Sequence, residues 1–181
     1  MGKAKHKIFI GMTDAGKSFE AKKQMQASKK GVLFVNYVEK EKSVGFEQVN
    51  KNTDIELIKA LLKNGRKIQY NCGRKTFDKE MLALYNIFEN EENFIFCIDE
   101  IHLLKKEVKD QIANLWKTGK HNNIEAWGIT QRPTELDRAM VSQSKYMYIF
   151  KTVMEDGFFN LYKIDKSKIP TEVWKYYLIE R

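Results

Sequence analysis

The sequence predicts an α/β fold in which a parallel sheet is flanked by helices. Three observations predict it. Short apolar runs alternate with helical stretches along most of the chain, the pattern of repeated β-α-β units. The first run, Ile8-Phe9-Ile10, leads straight into Gly11-Met12-Thr13-Asp14-Ala15-Gly16-Lys17-Ser18, a glycine-bounded loop ahead of a helix. A later run, Phe94-Ile95-Phe96-Cys97-Ile98, is unbroken and ends in Asp99-Glu100, which reads as a strand buried on both faces.

Each element has a local reason. Lys7 to Ile10 is the first strand. Lys17 to Ser28 is a helix ended by Lys29-Lys30-Gly31, a basic last turn with a stop glycine. Val32 to Tyr37 is the second strand. Lysine and glutamate crowd Glu39 to Asn52, which is expected to be an irregular surface loop. Thr53 or Asp54 is an N-cap for a helix through Lys63, with Ile55, Ile58, Leu61 and Leu62 on one face and Asn64-Gly65 closing it. Lys67 to Cys72 is the third strand. Asp78 opens a helix through Phe88, and Phe94 to Ile98 follows. Leu103 to Trp116 is a further helix, Glu125 to Thr130 a strand, Thr134 the cap of a short helix, and Tyr146 to Phe150 the last core strand. After an Asp156-Gly157 turn, Phe158 to Ile164 is expected to add a short antiparallel piece. Trp174, Tyr176, Tyr177 and Leu178 are expected to pack on the domain or on a neighbouring subunit. With no repeat or linker, residues 1–181 are expected to form one domain, a core over about 7–150 and an extension over 151–181.

The glycine-bounded loop carries the chemistry. G-x-x-x-x-G-K-S between a strand and a helix is a phosphate-binding loop. Its glycines let the backbone wrap phosphate oxygens with N–H groups pointing inward. Residues Gly11, Met12, Thr13, Asp14, Ala15, Gly16, Lys17, Ser18 and Phe19 are the expected nucleotide-binding segment. Lys17 would reach the β and γ phosphates, and the Ser18 hydroxyl would ligate Mg²⁺. Asp99, at the carboxyl end of its strand, would hold the same Mg²⁺ through water, as a Walker-B aspartate does. Glu100 is placed to polarise the attacking water, which marks a hydrolase more than a small-molecule kinase. Gln131 follows the strand after this one, in Ile129-Thr130-Gln131-Arg132-Pro133, where a polar side chain can sense the γ-phosphate or orient water.

Composition narrows the classes. In 181 residues, 43% hydrophobic and 12% aromatic, there is ample apolar material for a folded core, which excludes a disordered chain. Lys and Arg number 32 against 24 Asp and Glu, a net charge of +8, so a polyanionic partner is one reading and solubility another. Cys72 and Cys97 read as small buried residues, and His6, His102 and His121 are too scattered for a structural zinc site. No apolar run is long enough to span a membrane, so a soluble, intracellular protein without stable membrane insertion is expected.

With GMTDAGKS, FIFCIDEIH and GITQRPTELDRAMVSQSKYMYIF together, the chain resembles the HerA/FtsK superfamily of P-loop ATPases, in particular the small DNA-packaging ATPases of viruses and phages. The resemblance covers roughly residues 7 to 150. It implies a RecA-like core with an additional strand, a homo-oligomeric ring of five or six subunits, and ATP-driven movement of double-stranded DNA into a capsid. A capsid portal or vertex protein is a further implied partner. The implied location is the cytoplasm of an infected host cell, with the virion as a second place. By residue it implies that Lys17 and Ser18 bind nucleotide and Mg²⁺, Asp99 binds the metal, Glu100 is the catalytic base and Gln131 the sensor.

One departure stands out. Many relatives carry an arginine in a Gly-Arg-Lys or Gly-Arg-His segment before the sensor strand, where this chain has Gly119-Lys120-His121. A trans finger here would be Lys120, a point charge and not a planar fork, or else Arg132, Arg138 or Arg74. DNA contact would fall to Lys105, Lys106 and Lys109, or to Lys40 and Lys42; each of these also reads as a solvated surface residue. Other readings are a filamentous-phage-type assembly or secretion ATPase, a nucleotide-switch binding module, and a small-molecule kinase. The absence of an N-K-x-D motif and of an arginine-rich lid weighs against the last two.

Overall fold

The computed structural model describes residues 5–37, 42–152 and 156–181. Lys40 and the start of the Glu39 to Asn52 stretch lie outside the described residues. Among the described residues eight strands form one sheet: β1 (Lys7–Ile10), β2 (Gly31–Asn36), β3 (Glu47–Val49), β4 (Lys67–Asn71), β5 (Phe94–Ile98), β6 (Glu125–Thr130), β7 (Tyr146–Phe150) and β8 (Tyr176–Glu180). Their order is β3-β4-β2-β5-β6-β1-β7-β8. All pairings are parallel except β7 with β8. The additional strand is β6, which lies between β5 and β1 and pairs with both.

Among the described residues seven α-helices connect or flank these strands: α1 (Lys17–Ala27), α2 (Ile55–Lys63), α3 (Phe77–Phe88), α4 (Lys106–Ile112), α5 (Asn114–Thr118), α6 (Arg138–Gln143) and α7 (Asp156–Tyr162). They cover the two faces unequally. On one face Phe9, Phe34, Cys97, Trp127 and Phe150 pack with Ala21 and Met25 of α1 and with Phe46. On the other, α2 to α7 bury the larger core, including Ile58, Met81, Trp116 and Phe158. Strands β2 and β5 are buried at every position, as their unbroken apolar runs require. Neither Cys72 nor Cys97 is in a disulfide, and both are buried.

Several elements differ from expectation. Phe158 to Ile164 is not strand: Phe158, Phe159 and Tyr162 share one face of α7, with both phenylalanines buried. The antiparallel strand is β8 instead, paired from Tyr146↔Glu180 to Phe150↔Tyr176. Tyr177 and Ile179 turn toward the larger core, while the Tyr176 ring meets Tyr148 edge-on and Phe150 at a tilt. The helix over Leu103 to Trp116 is broken into a 3-10 turn, Ile101–Leu103, then α4 and α5. Leu104 and Lys105 are extended between them. Thr134 caps nothing: it sits in a 3-10 turn, and Asp137 caps α6 by accepting from the Ala139 N–H at 2.7 Å. The stretch expected to be irregular contains β3, which the Arg66–Glu47 ion pair ties to the chain entering β4. Asp54 is the cap of α2, accepting from the Glu56 N–H.

Candidate active site at the carboxyl edge of the sheet

Parallel strands end on one edge, and the residues after β1, β5, β6 and β7 meet there. The loop after β1 is pinned on both sides. Gly11 N–H donates to the Thr130 carbonyl at the end of β6 (3.2 Å), and Met12 N–H to the Lys151 carbonyl just past β7 (2.9 Å). Asp14 (φ 59°) and Gly16 (φ 100°) take left-handed backbone ahead of α1, the kind of turn that can gather backbone N–H groups into an anion-binding concavity. Gly16 has a second constraint: a Cβ there would come within 2.9 Å of the Trp174 indole. Trp174 also donates its own N–H to the Ala15 carbonyl (3.0 Å) and meets Phe19 edge-on, ring centroids 5.3 Å apart.

Across from the loop stand two carboxylates. Asp99 is buried, and its N–H is held by the Val35 carbonyl at 2.9 Å. Glu100 follows in left-handed backbone (φ 49°), a conformation costing a residue with a side chain about 1 kcal/mol or more, and its N–H donates to Asp99 Oδ1 at 3.1 Å. Gln131 joins the two halves. Its Nε2 donates to Glu100 Oε1 at 2.7 Å, and its Oε1 accepts from the Thr13 hydroxyl at 3.0 Å. His102 Nδ1 lies 3.2 Å from Glu100 Oε2, but out of line, and neither buried atom has a hydrogen-bond partner. Burial lowers the His102 pKa, with the nearby Glu100 carboxylate working against it.

Lys17 is buried, and its Nζ donates to the Met12 carbonyl at 2.6 Å. Burial lowers its pKa; Glu100, Asp99 and Asp14 pull the other way. The ammonium is therefore within electrostatic reach of all three carboxylates. Among the described residues no group of three or more His, Cys, Asp or Glu could hold a metal by itself. The hydroxyl of Ser18 and the carboxylate of Asp99, the two expected ligands, would make a sparse, hard oxygen set. This suits Mg²⁺, which keeps several waters and takes further oxygens from phosphates.

Other expected residues fall elsewhere. Lys120 is in the 3-10 turn Gly119–Asn122 leading into β6, at the amino edge of the sheet, away from this chain's own loop. Arg132 follows Gln131 at the carboxyl edge and pairs with Glu135 at 3.1 Å. Arg138 is exposed at the start of α6, and Arg74, after β4, lies over the Tyr37 ring at 5.6 Å. Lys105 approaches Asp78 at 3.9 Å, and Lys106 is exposed. Lys109 turns inward to the carbonyls of Glu135 (2.9 Å) and His102 (3.4 Å). Lys42 lines a surface cleft with Lys51 and Asn71. Sequence reading did not anticipate the Thr13–Gln131 bond, His102 beside Glu100, or Trp174 on the loop. Only the histidine, in Asp99-Glu100-Ile101-His102, left a local signal.

This architecture has counterparts among solved structures. The genome-packaging NTPase B204 of Sulfolobus turreted icosahedral virus 2, in complex with ATP-gammaS, superposes with a TM-score of 0.72 at 15% identity, over 99% of this chain and 94% of that one. B204, the DNA-packaging ATPase of Sulfolobus turreted icosahedral virus, gives 0.68 at 17% identity over 99% and 94%. The fold is shared with these structures. EssC ATPases 2 and 3 from Geobacillus thermodenitrificans give 0.60 at 12% identity, over 97% of this chain and 37% of that one. Each of these likenesses is one of fold. No protein-family model matches the sequence, and no curated protein matches it. No helix among the described residues is long and apolar enough to cross a membrane.

Proposed function

We propose that this chain is a Mg²⁺-dependent ATPase that moves double-stranded DNA, packaging a viral genome into a capsid. The observation carrying the enzymatic half is the Gln131–Glu100 bond of 2.7 Å, set opposite the loop that carries the buried Lys17. A carboxylate held by an amide that also touches the loop is placed to orient a water in line with a phosphate. Bound Mg²⁺ would supply charge neutralisation on the phosphate oxygens, with Ser18 and Asp99 as its protein ligands. Lys17 binds the phosphates as a desolvated cation. The loop N–H groups orient them through the left-handed turns at Asp14 and Gly16. Glu100 takes the proton of the attacking water, and Gln131 holds Glu100 in position and reports the phosphate to the loop through Thr13.

The DNA-moving half is supported by the fold shared with B204 and by the net charge of +8. In this reading residues 1–181 act as one ATPase unit within a homo-oligomeric ring of five or six copies. Lys120, Arg132, Arg138 or Arg74 of a neighbour completes the site, and Lys105 and Lys106 are candidates for phosphate contact. The ring would work in the cytoplasm of the infected cell, against a capsid portal or vertex protein. The test is ATP hydrolysis by purified protein with and without duplex DNA, with Lys17→Ala as the blank. A DNA-stimulated rate that vanishes in the blank and in Glu100→Gln is expected. A DNA-indifferent rate from an assembled oligomer removes the motor, and a parental rate in Glu100→Gln removes the catalytic assignment.

A further inference from the structure

The loop, the two carboxylates and Gln131 account for the phosphates of a nucleotide and leave its base and sugar without a wall. A cleft of about 450 Å³ opens directly beside the loop, a volume within the range of small-molecule sites. Its apolar surface comes from Met12, Phe159, Ile169 and Pro170, and its polar rim includes Lys166 and Thr171. Met12 belongs to both sites: it is a residue of the phosphate loop, its carbonyl receives Lys17, and its side chain is 42% exposed toward solvent. The Lys151 carbonyl that anchors the Met12 N–H belongs to another lining residue of the cleft. The loop and the cleft therefore share a residue.

We propose that this cleft receives the nucleoside part of the nucleotide, so that the extension after β7 is a binding element and not an appendage; this rests on the reading that the loop holds the phosphates. The chemistry fits. A flat heteroaromatic base buries its faces against methionine, phenylalanine, isoleucine and proline side chains, and a threonine hydroxyl and an ammonium at the rim suit sugar hydroxyls and ring nitrogens. The same segment then runs from Thr171 to Trp174, whose N–H is bonded to Ala15 and whose indole covers Gly16. Cleft and loop are thereby held in one frame, and a nucleotide spanning both would lie close to Trp174.

The experiment compares two ligands on the full chain. Mg-ATP carries the nucleoside; Mg-tripolyphosphate carries only the phosphates. Binding of each is measured by calorimetry for the parent and for Ile169→Trp, which fills the cleft. The expected result is a loss of about tenfold or more for ATP, roughly 1.4 kcal/mol, with tripolyphosphate within about twofold of the parent. Unchanged ATP affinity in Ile169→Trp overturns the proposal. Should the variant lose both ligands together, photolabelling of the parent with 8-azido-ATP decides: adducts on Met12 or within residues 156–171 uphold the cleft, and adducts confined elsewhere overturn it. A parent that binds neither ligand sinks the phosphate-loop reading itself, which is a separate result from failure of the cleft.

Discussion

Replacing Gln131 with alanine tests the centre of the proposed mechanism. The substitution removes two hydrogen bonds, the 2.7 Å donation to Glu100 and the 3.0 Å acceptance from Thr13. The first goes to a carboxylate, where such a bond contributes about 1.5–3 kcal/mol; the second joins neutral groups in an exposed setting and contributes about 0.5–1.5 kcal/mol. If only the first bears on the chemical step, kcat should fall by about 10- to 150-fold, since 1.4 kcal/mol is tenfold. Because the lost interaction orients Glu100 and does not bind substrate, KM should change little. The assay is steady-state phosphate release at saturating Mg-ATP, repeated in Glu100→Gln and in the double variant. A shared function makes the double variant no slower than Glu100→Gln alone. Parental kcat in Gln131→Ala would refute the reasoning, and additive losses would place the two side chains in separate roles.

Three further outcomes follow from the packing. Gly16→Ala places a Cβ at φ 100° and within 2.9 Å of Trp174, so we expect about 1–2 kcal/mol of destabilisation and weaker nucleotide binding; unchanged affinity with unchanged indole fluorescence would contradict it. Ser144 is buried, accepts from Trp116 Nε1 at 3.1 Å and donates to the Met140 carbonyl at 2.7 Å, so Ser144→Ala strands an indole N–H and should cost about 1–3 kcal/mol by urea titration; a cost below about 0.5 kcal/mol shows another acceptor is reached. His6 is pulled from 6.5 to about 4, first by burial and then by Lys30 and Lys120, while its Nδ1 accepts the Ala126 N–H. The folded value lies below the unfolded one, so this contribution is complete above about pH 6.5 and lost as pH falls toward 4. It amounts to about 3 kcal/mol. Stability measured in steps across that window should drop less in His6→Gln, and an identical drop would exclude His6 as the cause.

Strands buried on both faces were legible because nothing but an apolar run survives there: β1, β2, β5 and β7 stand where their sequences put them. The positions of the candidate site residues within motifs were legible for a related reason. Spacing along a strand-loop-helix unit dictates position, so Lys17, Asp99, Glu100 and Gln131 could be placed together without knowing the packing. The break between Ile101 and α4 was not legible. Leu104 and Lys105 are ordinary helix formers, made extended by a distant partner, since the Lys105 N–H reaches Asp78 Oδ1 at 2.9 Å. The exchange between α7 and β8 has a similar source. Phe158-Phe159-Asn160-Leu161-Tyr162 suits either period, and Asp156-Gly157, a turn signal in sequence, forms the first turn of α7. The Trp174 contact with the loop joins residues far apart in the chain, partly through a backbone N–H and carbonyl that leave no trace in side-chain identity and partly through an indole on Gly16 and Phe19 that no local spacing announces.

The position of β1 in the sheet has a consequence for biosynthesis. This strand is the first of the described strands to be made, yet both its neighbours are late ones: Ile8 pairs across to Gly128 on one side and Met147 on the other. A nascent chain therefore carries Lys7–Ile10 and the phosphate loop unpaired until β6 and β7 have left the ribosome. Contacts this distant make for slow folding and expose an apolar strand to other chains meanwhile. Ribosome-bound intermediates shorter than about residue 150 would have a loop with the right sequence and no anchors at Thr130 or Lys151. The two anchors that shape the loop would thus arrive only once β6 and β7 have emerged, so that under the proposed function nucleotide binding waits on residues about 120 to 140 positions downstream.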